Sequence, residues 1–205
     1  MTHATLTRRI ALLGAASALG GCSAVSALNS AAQPLDTYDL LPVAGSRAGR
    51  RTSRTMLVAR PHAPAAIATD RIMVKPDRVS ITYLPDARWS DELPLVLQSL
   101  LIRSISGTGR IGYIGQSDGG PVPDSALLVR MDAFNVNVLE GGALNVVVDI
   151  TLTVLDDRDQ RVIATRGFAL AAPLSDDIPA TIVATFQAVL NDLLPSMADW
   201  ALLHA

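Results

Sequence analysis

The chain has 205 residues, a formal net charge of −2, 49% hydrophobic residues and a single cysteine. Its basic residues are dispersed, with no run longer than two arginines, which argues against the concentrated positive face of a nucleic-acid-binding protein. One cysteine also excludes a framework of disulfides within the chain.

The first 21 residues predict a secretion signal that ends at a lipid-attachment cysteine. Arg8 and Arg9 form a basic start, and the apolar run 10–19 follows. That run is shorter than the roughly 20 residues that a membrane-spanning helix needs. It leads into Leu19-Gly20-Gly21-Cys22, which resembles the lipobox of bacterial lipoproteins. A free core cysteine is the alternative, but Cys22 lies far from any core pattern.

The lipobox resemblance implies cleavage before Cys22 and attachment of a diacylglyceryl group, with palmitate expected among the acyl chains. Two or more acyl chains give stable anchoring where one does not. Ser23 follows the cysteine, and the lack of an Asp there favours the outer membrane, with inner-membrane anchoring left open. The segment Thr7–Leu12 fits both general secretion and twin-arginine export. Residues 22–35 are small and polar and predict a flexible tether, and residues 36–205 predict one domain.

The first half of this domain predicts short strands and one helix. Residues 37–40, 55–61 and 110–114 each have the pattern of a strand, and residues 47–54 that of an exposed arginine-rich loop. Arg71–Val74 and Val79–Tyr83 flank a turn-like tetrad and predict a hairpin. Leucines spaced three or four residues apart predict a helix over residues 91–106. We expect Ser90 to be its N-cap, and Asp91 and Glu92 to lie in its first turn.

The second half predicts a meander of three antiparallel strands, 126–139, 144–155 and 161–171, followed by a helix from Pro179 to Leu203. We expect Pro195 to kink or divide this helix. Its predicted buried stripe, with Trp200 as a core residue, consists of Ile182, Phe186, Val189, Leu190, Leu193, Met197, Trp200 and Ala201. The elements together predict a single α/β domain whose mixed, mostly antiparallel sheet is covered by two main helices.

Several short motifs, taken in order, resemble the ABC-type transport auxiliary lipoprotein family. They are Tyr38-Asp39-Leu40, Asp70-Arg71-Ile72, and Tyr83 followed by the segment 87–94, which begins Ala-Arg-Trp-Ser. The resemblance spans roughly residues 35–200. It implies a non-catalytic α/β domain on the periplasmic side of the outer membrane. It also implies partnership with an ABC transporter permease and ATPase and with an MCE-domain protein, in lipid transport between the two membranes.

Candidate interface residues within these motifs are Arg71, Arg88 and Trp89. Arginine and tryptophan are enriched in binding hot spots. The alternatives are that Asp70-Arg71 is a charged pair at the entry of a strand, and that Trp89 packs under the first helix. A homo-oligomer is compatible with a component that bridges two membranes.

The sequence gives no support for an enzyme, a cofactor or a metal centre. Outside the first 21 residues the histidines are His62, in a proline-flanked loop, and His204. Neither lies in a recognisable nucleophile motif, and two distant histidines without a free cysteine make a poor metal site. The sequence therefore leaves two hypotheses, a transport auxiliary lipoprotein and a structural or envelope-assembly lipoprotein without lipid cargo.

Overall fold

The three-dimensional structure is a computed structural model that describes residues 35–205, and residues 36–205 form one compact unit. The predicted signal peptide, Cys22 and almost all of the predicted tether lie outside the described residues. The domain consists of a mixed eight-stranded sheet and two helices, as the sequence predicts. Its strands are β1 (Asp36–Tyr38), β2 (Thr55–Val58), β3 (Arg71–Lys75), β4 (Thr82–Trp89), β5 (Tyr113–Gln116), β6 (Ser125–Val138), β7 (Leu144–Asp156) and β8 (Arg161–Leu174).

Strand β6 organises the sheet, because it is long enough to pair with different strands along its two halves. One edge pairs with β7, which pairs in turn with β8, and both ladders are antiparallel. The other edge pairs in parallel with β2 near its start and with β3 near its end. Strand β5 extends the β2 side, while β4 and then β1 extend the β3 side.

The β6–β7–β8 meander confirms the predicted alternation. Five side chains of β7 that point inward are 0% exposed, and they are Val146, Val148, Ile150, Leu152 and Val154. Their neighbours along the strand are only half-buried and face the opposite side. Gly141 and Gly142 turn the β6–β7 connection with φ of 85° and 84°, a left-handed conformation that glycine adopts without steric cost.

Helix α1 (Leu93–Ser106) begins later than its composition predicts. Its N-cap residue is Glu92, which makes no side-chain capping bond, so the predicted cap at Ser90 and acidic first turn are wrong. Instead, the N–H of Leu93 donates to the carbonyl of Thr69 at 3.1 Å, so a neighbouring backbone satisfies the helix start. The hydroxyl of Ser90 is thereby free to donate to Asp39 Oδ1, at 3.0 Å.

Helix α2 (Pro179–His204) runs across the β7–β8 side of the sheet and continues through Pro195, so the proline does not divide it. Every residue of the predicted buried stripe is buried. Trp200 is 8% exposed and meets Phe168 edge to face at 5.9 Å, which confirms it as a core residue. Both helices contribute to the same hydrophobic core as the inward face of the sheet.

Candidate partner interface

Three sequence motifs that are distant along the chain meet at the junction between β4 and α1. Strand β1 pairs with β4 so that Tyr38 lies opposite Trp89. Strand β3 pairs with β4 so that Arg71 lies opposite Arg88. The N–H of Trp89 donates to the carbonyl of Asp70 at 2.7 Å. The three motifs, although distant in the sequence, therefore lie at one place in the fold. We call its charged surface the junction patch, formed by Asp39, Arg60, Asp70, Arg88, Ser90, Asp91 and Glu92.

Arg88 links two of the neighbouring strands at this surface. Its Nε donates to Thr37 Oγ1 at 3.1 Å, and its Nη1 lies 3.8 Å from Asp70 Oδ2. The Arg88 and Asp70 side chains are 47% and 39% exposed, so solvent screens their attraction. Their value for the fold is therefore small, while both remain accessible to a partner.

A second ion pair joins Arg60 to Glu92, whose side chains are 60% and 48% exposed. Asp91 accepts a hydrogen bond from the N–H of Glu92 at 2.7 Å, which fixes its carboxylate at the helix start. Residues 68–70 and 88–92 enclose an open groove of about 440 Å³ between these groups. Ligand pockets of this size are mostly apolar. The charged walls of this groove suit a polar protein surface better than a small apolar molecule.

The three predicted interface residues have different surroundings. Arg88 lies on the junction patch. Arg71 is half-buried, and its Nη2 donates to the carbonyl of Leu84 at 2.7 Å, while its buried Nε has no hydrogen-bond partner. Trp89 is 2% exposed and therefore offers no surface for contact, so the structure corrects the interpretation of Trp89 as an interface anchor.

Trp89 is a packed core residue, in line with the alternative that it packs under the first helix. Its aromatic partners, however, are not on that helix. It meets Phe134 of β6 at 5.9 Å and Phe186 of α2 at 5.5 Å, both edge to face. These two rings stack on each other at 4.5 Å. The aromatic trio holds the end of β4 in place from beneath, and Arg88 consequently has a rigid support.

Sequence reasoning missed Asp39, Arg60, Ser90, Asp91 and Glu92 as members of the patch. Asp39 lies within a family motif, so that motif was a usable signal. Arg60 and Glu92 are 32 positions apart, and only the fold brings them together.

The two described histidines each contact the backbone of another residue. His62 pairs through its backbone with β6, and His204 Nδ1 lies 2.8 Å from the carbonyl oxygen of Trp200. Within residues 35–205, no three His, Cys, Asp or Glu side chains cluster in a way that could hold a metal ion. Neither described helix combines the length and apolar character required to cross a bilayer.

Comparison with known proteins identifies relatives of this fold. The chain is 25% identical over 174 residues to the uncharacterized protein bll6063 of Bradyrhizobium diazoefficiens, covering 82% of this chain and 45% of that relative. It therefore spans less than half of that relative's length. Protein XCC0632 from Xanthomonas campestris has a similar structure, with a TM-score of 0.75, 24% identity, and coverage of 82% of this chain and 96% of that one. Hypothetical protein CT253 from Chlamydia trachomatis is more distant, with a TM-score of 0.51, 7% identity, and coverage of 76% and 98%.

These structural similarities establish the fold alone. The family model for the ABC-type transport auxiliary lipoprotein component matches residues 38–198, which is most of the chain and includes every element of the junction patch. The chain therefore belongs to the family of ABC-type transport auxiliary lipoproteins.

Proposed function

We propose that this protein is a non-catalytic subunit of an MCE-type ABC transporter that moves lipids between the inner and outer membranes. Its partners in this proposal are the permease and ATPase of the transporter and an MCE-domain protein. The observation that carries the proposal is the family match over residues 38–198, combined with the Leu19-Gly20-Gly21-Cys22 motif ahead of the folded domain.

The anchor in this proposal is the thioether-linked lipid on Cys22, held in the periplasmic leaflet of the outer membrane. Substitution of Cys22→Ala should remove the lipid and release the protein into the soluble periplasmic fraction. Mass spectrometry of the purified native protein tests this directly, because the predicted mature chain begins at Cys22 and carries acyl mass. A native N-terminus without acyl mass would refute the anchoring.

The junction patch is the surface that we assign to the transporter subunits. Its exposed ion pairs add little to folding, but charges at the rim of an interface direct association and select partners. An Arg88→Glu substitution should therefore reduce recovery of the transporter complex with the tagged lipoprotein while leaving its circular dichroism unchanged.

Arg161→Glu is a matched control for this experiment. Arg161 is also an exposed arginine on a strand, 64% exposed, and it pairs with Asp159 away from the patch. The control should retain normal recovery of the complex. Equal loss with both substitutions, or no loss with Arg88→Glu, would remove the patch from the proposal.

A structural or envelope-assembly role is the competing function. A deletion strain distinguishes the two, because a lipid-transport subunit should alter the distribution of phospholipids between the membranes. Envelope defects with an unchanged lipid distribution, and no lipid in the purified complex, would favour the structural role.

A further inference from the structure

Four exposed apolar side chains lie in segments that leave the sheet at one end, where β3, β6 and β8 finish. Val79, Ile81, Leu139 and Ile178 are 91%, 50%, 45% and 56% exposed. We call this group the apolar tip. Single exposed aliphatic residues are common on protein surfaces, whereas a contiguous exposed apolar patch marks a site of contact.

The pairing of the strands explains why these four residues share one end. Strand β3 runs parallel to β6, with Lys75 opposite Asn137, so the segments that follow the two strands leave the sheet side by side. The first segment carries Val79 and Ile81, and the second begins with Leu139. Strand β8 ends with Leu174 opposite Leu144, the first residue of β7, so the connection that contains Ile178 leaves the same end.

The exposure of Val79 is imposed by its turn. Asp77 Oδ1 accepts hydrogen bonds from the N–H groups of Val79 at 2.8 Å and of Ser80 at 2.7 Å. These bonds, chiefly the one from Val79, lower the pKa of the Asp77 carboxyl. An aspartate that bonds to the backbone in this way fixes the path of the chain locally. The valine is thus held outward by a defined turn.

The direction of β1 shows at which end of the sheet the chain from Cys22 enters the domain. β1 is parallel to β4, and its first residue, Asp36, lies opposite Ala87. Strand β4 begins at Thr82, immediately after the segment with Val79 and Ile81. The N-terminal end of β1 therefore faces the tip end of the sheet. The chain between Cys22 and Asp36 can span about 46 Å when extended, whereas Ala87 is only about 17 Å from Thr82 along the strand.

We propose that the apolar tip inserts into the surface of the bilayer that holds the acyl chains of Cys22. This inference rests on the proposed anchoring and adds an orientation, in which the apolar tip of the domain faces the membrane. The charged residues next to the tip in the sequence are two bases, Lys75 and Arg78, and four acids, Asp77, Glu140, Asp176 and Asp177, so the tip carries no excess of positive charge. The contact is consequently apolar and does not require anionic lipid. A short tether raises the effective concentration of the tip at the membrane, so a weak insertion suffices.

A fluorescent label at Val79→Cys tests the contact in the lipidated full-length mature protein. The native sulfur of Cys22 is blocked by its thioether, so the new thiol is the only one that reacts. The labelled protein is reconstituted in phosphatidylcholine vesicles that contain doxyl-labelled lipid as a quencher. We expect strong quenching and a blue-shifted emission for the label at position 79.

Val122→Cys is the matched control, because Val122 is 88% exposed and lies just before the start of β6, at the opposite end of the sheet. The label there should remain in water and be quenched severalfold less. Equal quenching at both positions, or stronger quenching at 122, would overturn the proposed orientation. Quenching at 79 that appears only when phosphatidylglycerol is added would overturn its apolar basis.

The same preparation separates this inference from the proposed anchoring. If its mass includes the acyl groups but label 79 is not quenched, the anchor stands and the tip contact fails. If the acyl groups are absent from the native protein, the anchoring fails and the orientation fails with it.

Discussion

Replacing Trp89 with alanine should destabilise the fold severely, because its ring is enclosed by the core. The side chain is 2% exposed and makes edge-to-face contacts with Phe134 and Phe186, at 5.9 and 5.5 Å. Removing a buried tryptophan costs about 3–5 kcal/mol, which includes about 0.5–1.5 kcal/mol for each aromatic contact. That loss is a large part of the roughly 5–15 kcal/mol by which domains are stable.

Urea unfolding followed by far-ultraviolet circular dichroism measures this change, since the signal does not depend on the deleted tryptophan. The mature chain from residue 22, with Cys22→Ser, provides a background without the lipid anchor. Trp89→Phe should recover part of the lost free energy, because a ring remains between Phe134 and Phe186. Val162→Ala, at a side chain that is 55% exposed, should change stability little. A loss below about 1 kcal/mol for Trp89→Ala would refute the packing argument.

Two further predictions concern a close backbone approach and a surface ion pair. A Cβ at Gly112 would lie 2.5 Å from the carbonyl oxygen of Ser53, so Gly112→Ala should cost about 1–3 kcal/mol in thermal unfolding. Gly119→Ala, which meets nothing within 4 Å, should be close to neutral. The hydrogen bond from Arg130 lowers the pKa of Asp132, so Arg130→Ala should raise that pKa towards the ordinary aspartate value in a carbon-13 NMR titration. Because the folded-state pKa is lowered, the pair stabilises the protein above the ordinary carboxyl pKa, and this contribution is lost as pH falls through the lowered value.

The sequence predicted the elements whose pattern is local. The alternation along β7 and the helical spacing of the α2 stripe depend only on neighbouring residues, and both were confirmed. The antiparallel pairing of β3 with β4 was also confirmed, but the predicted position of the second strand, Val79–Tyr83, was wrong. β4 runs from Thr82 to Trp89, because Asp77 holds the backbone of Val79 and Ser80 in a turn.

Errors arose where distant residues decide the local structure. Ser90 has the composition of an N-cap, but its partner is Asp39, 51 positions earlier. The parallel pairing of β1 with β4 frees Ser90 from the helix, and no periodicity in the sequence specifies that pairing. Pro195 remains inside a continuous helix that is packed on the core, which outweighs its local preference.

The candidate interface was predictable only in part, because residues distant in the sequence form some of its contacts. Arg88 lies within a family motif and its side chain is 47% exposed on the junction patch, and its role at an interface stays a prediction. Trp89 is adjacent in sequence, but successive side chains of a strand face opposite sides, so Arg88 points outward while Trp89 is buried. Identifying Glu92 as the partner of Arg60 required the fold.

Crosslinking in intact cells tests the central claim most directly. A photo-reactive amino acid in place of Asp91, on the junction patch of the lipidated protein, should capture the MCE-domain protein or the permease of an ABC transporter. Recovery of membrane-anchored protein whose crosslinks include no transporter subunit would contradict the account, as would recovery of the protein from the cytosol with an unmodified Cys22.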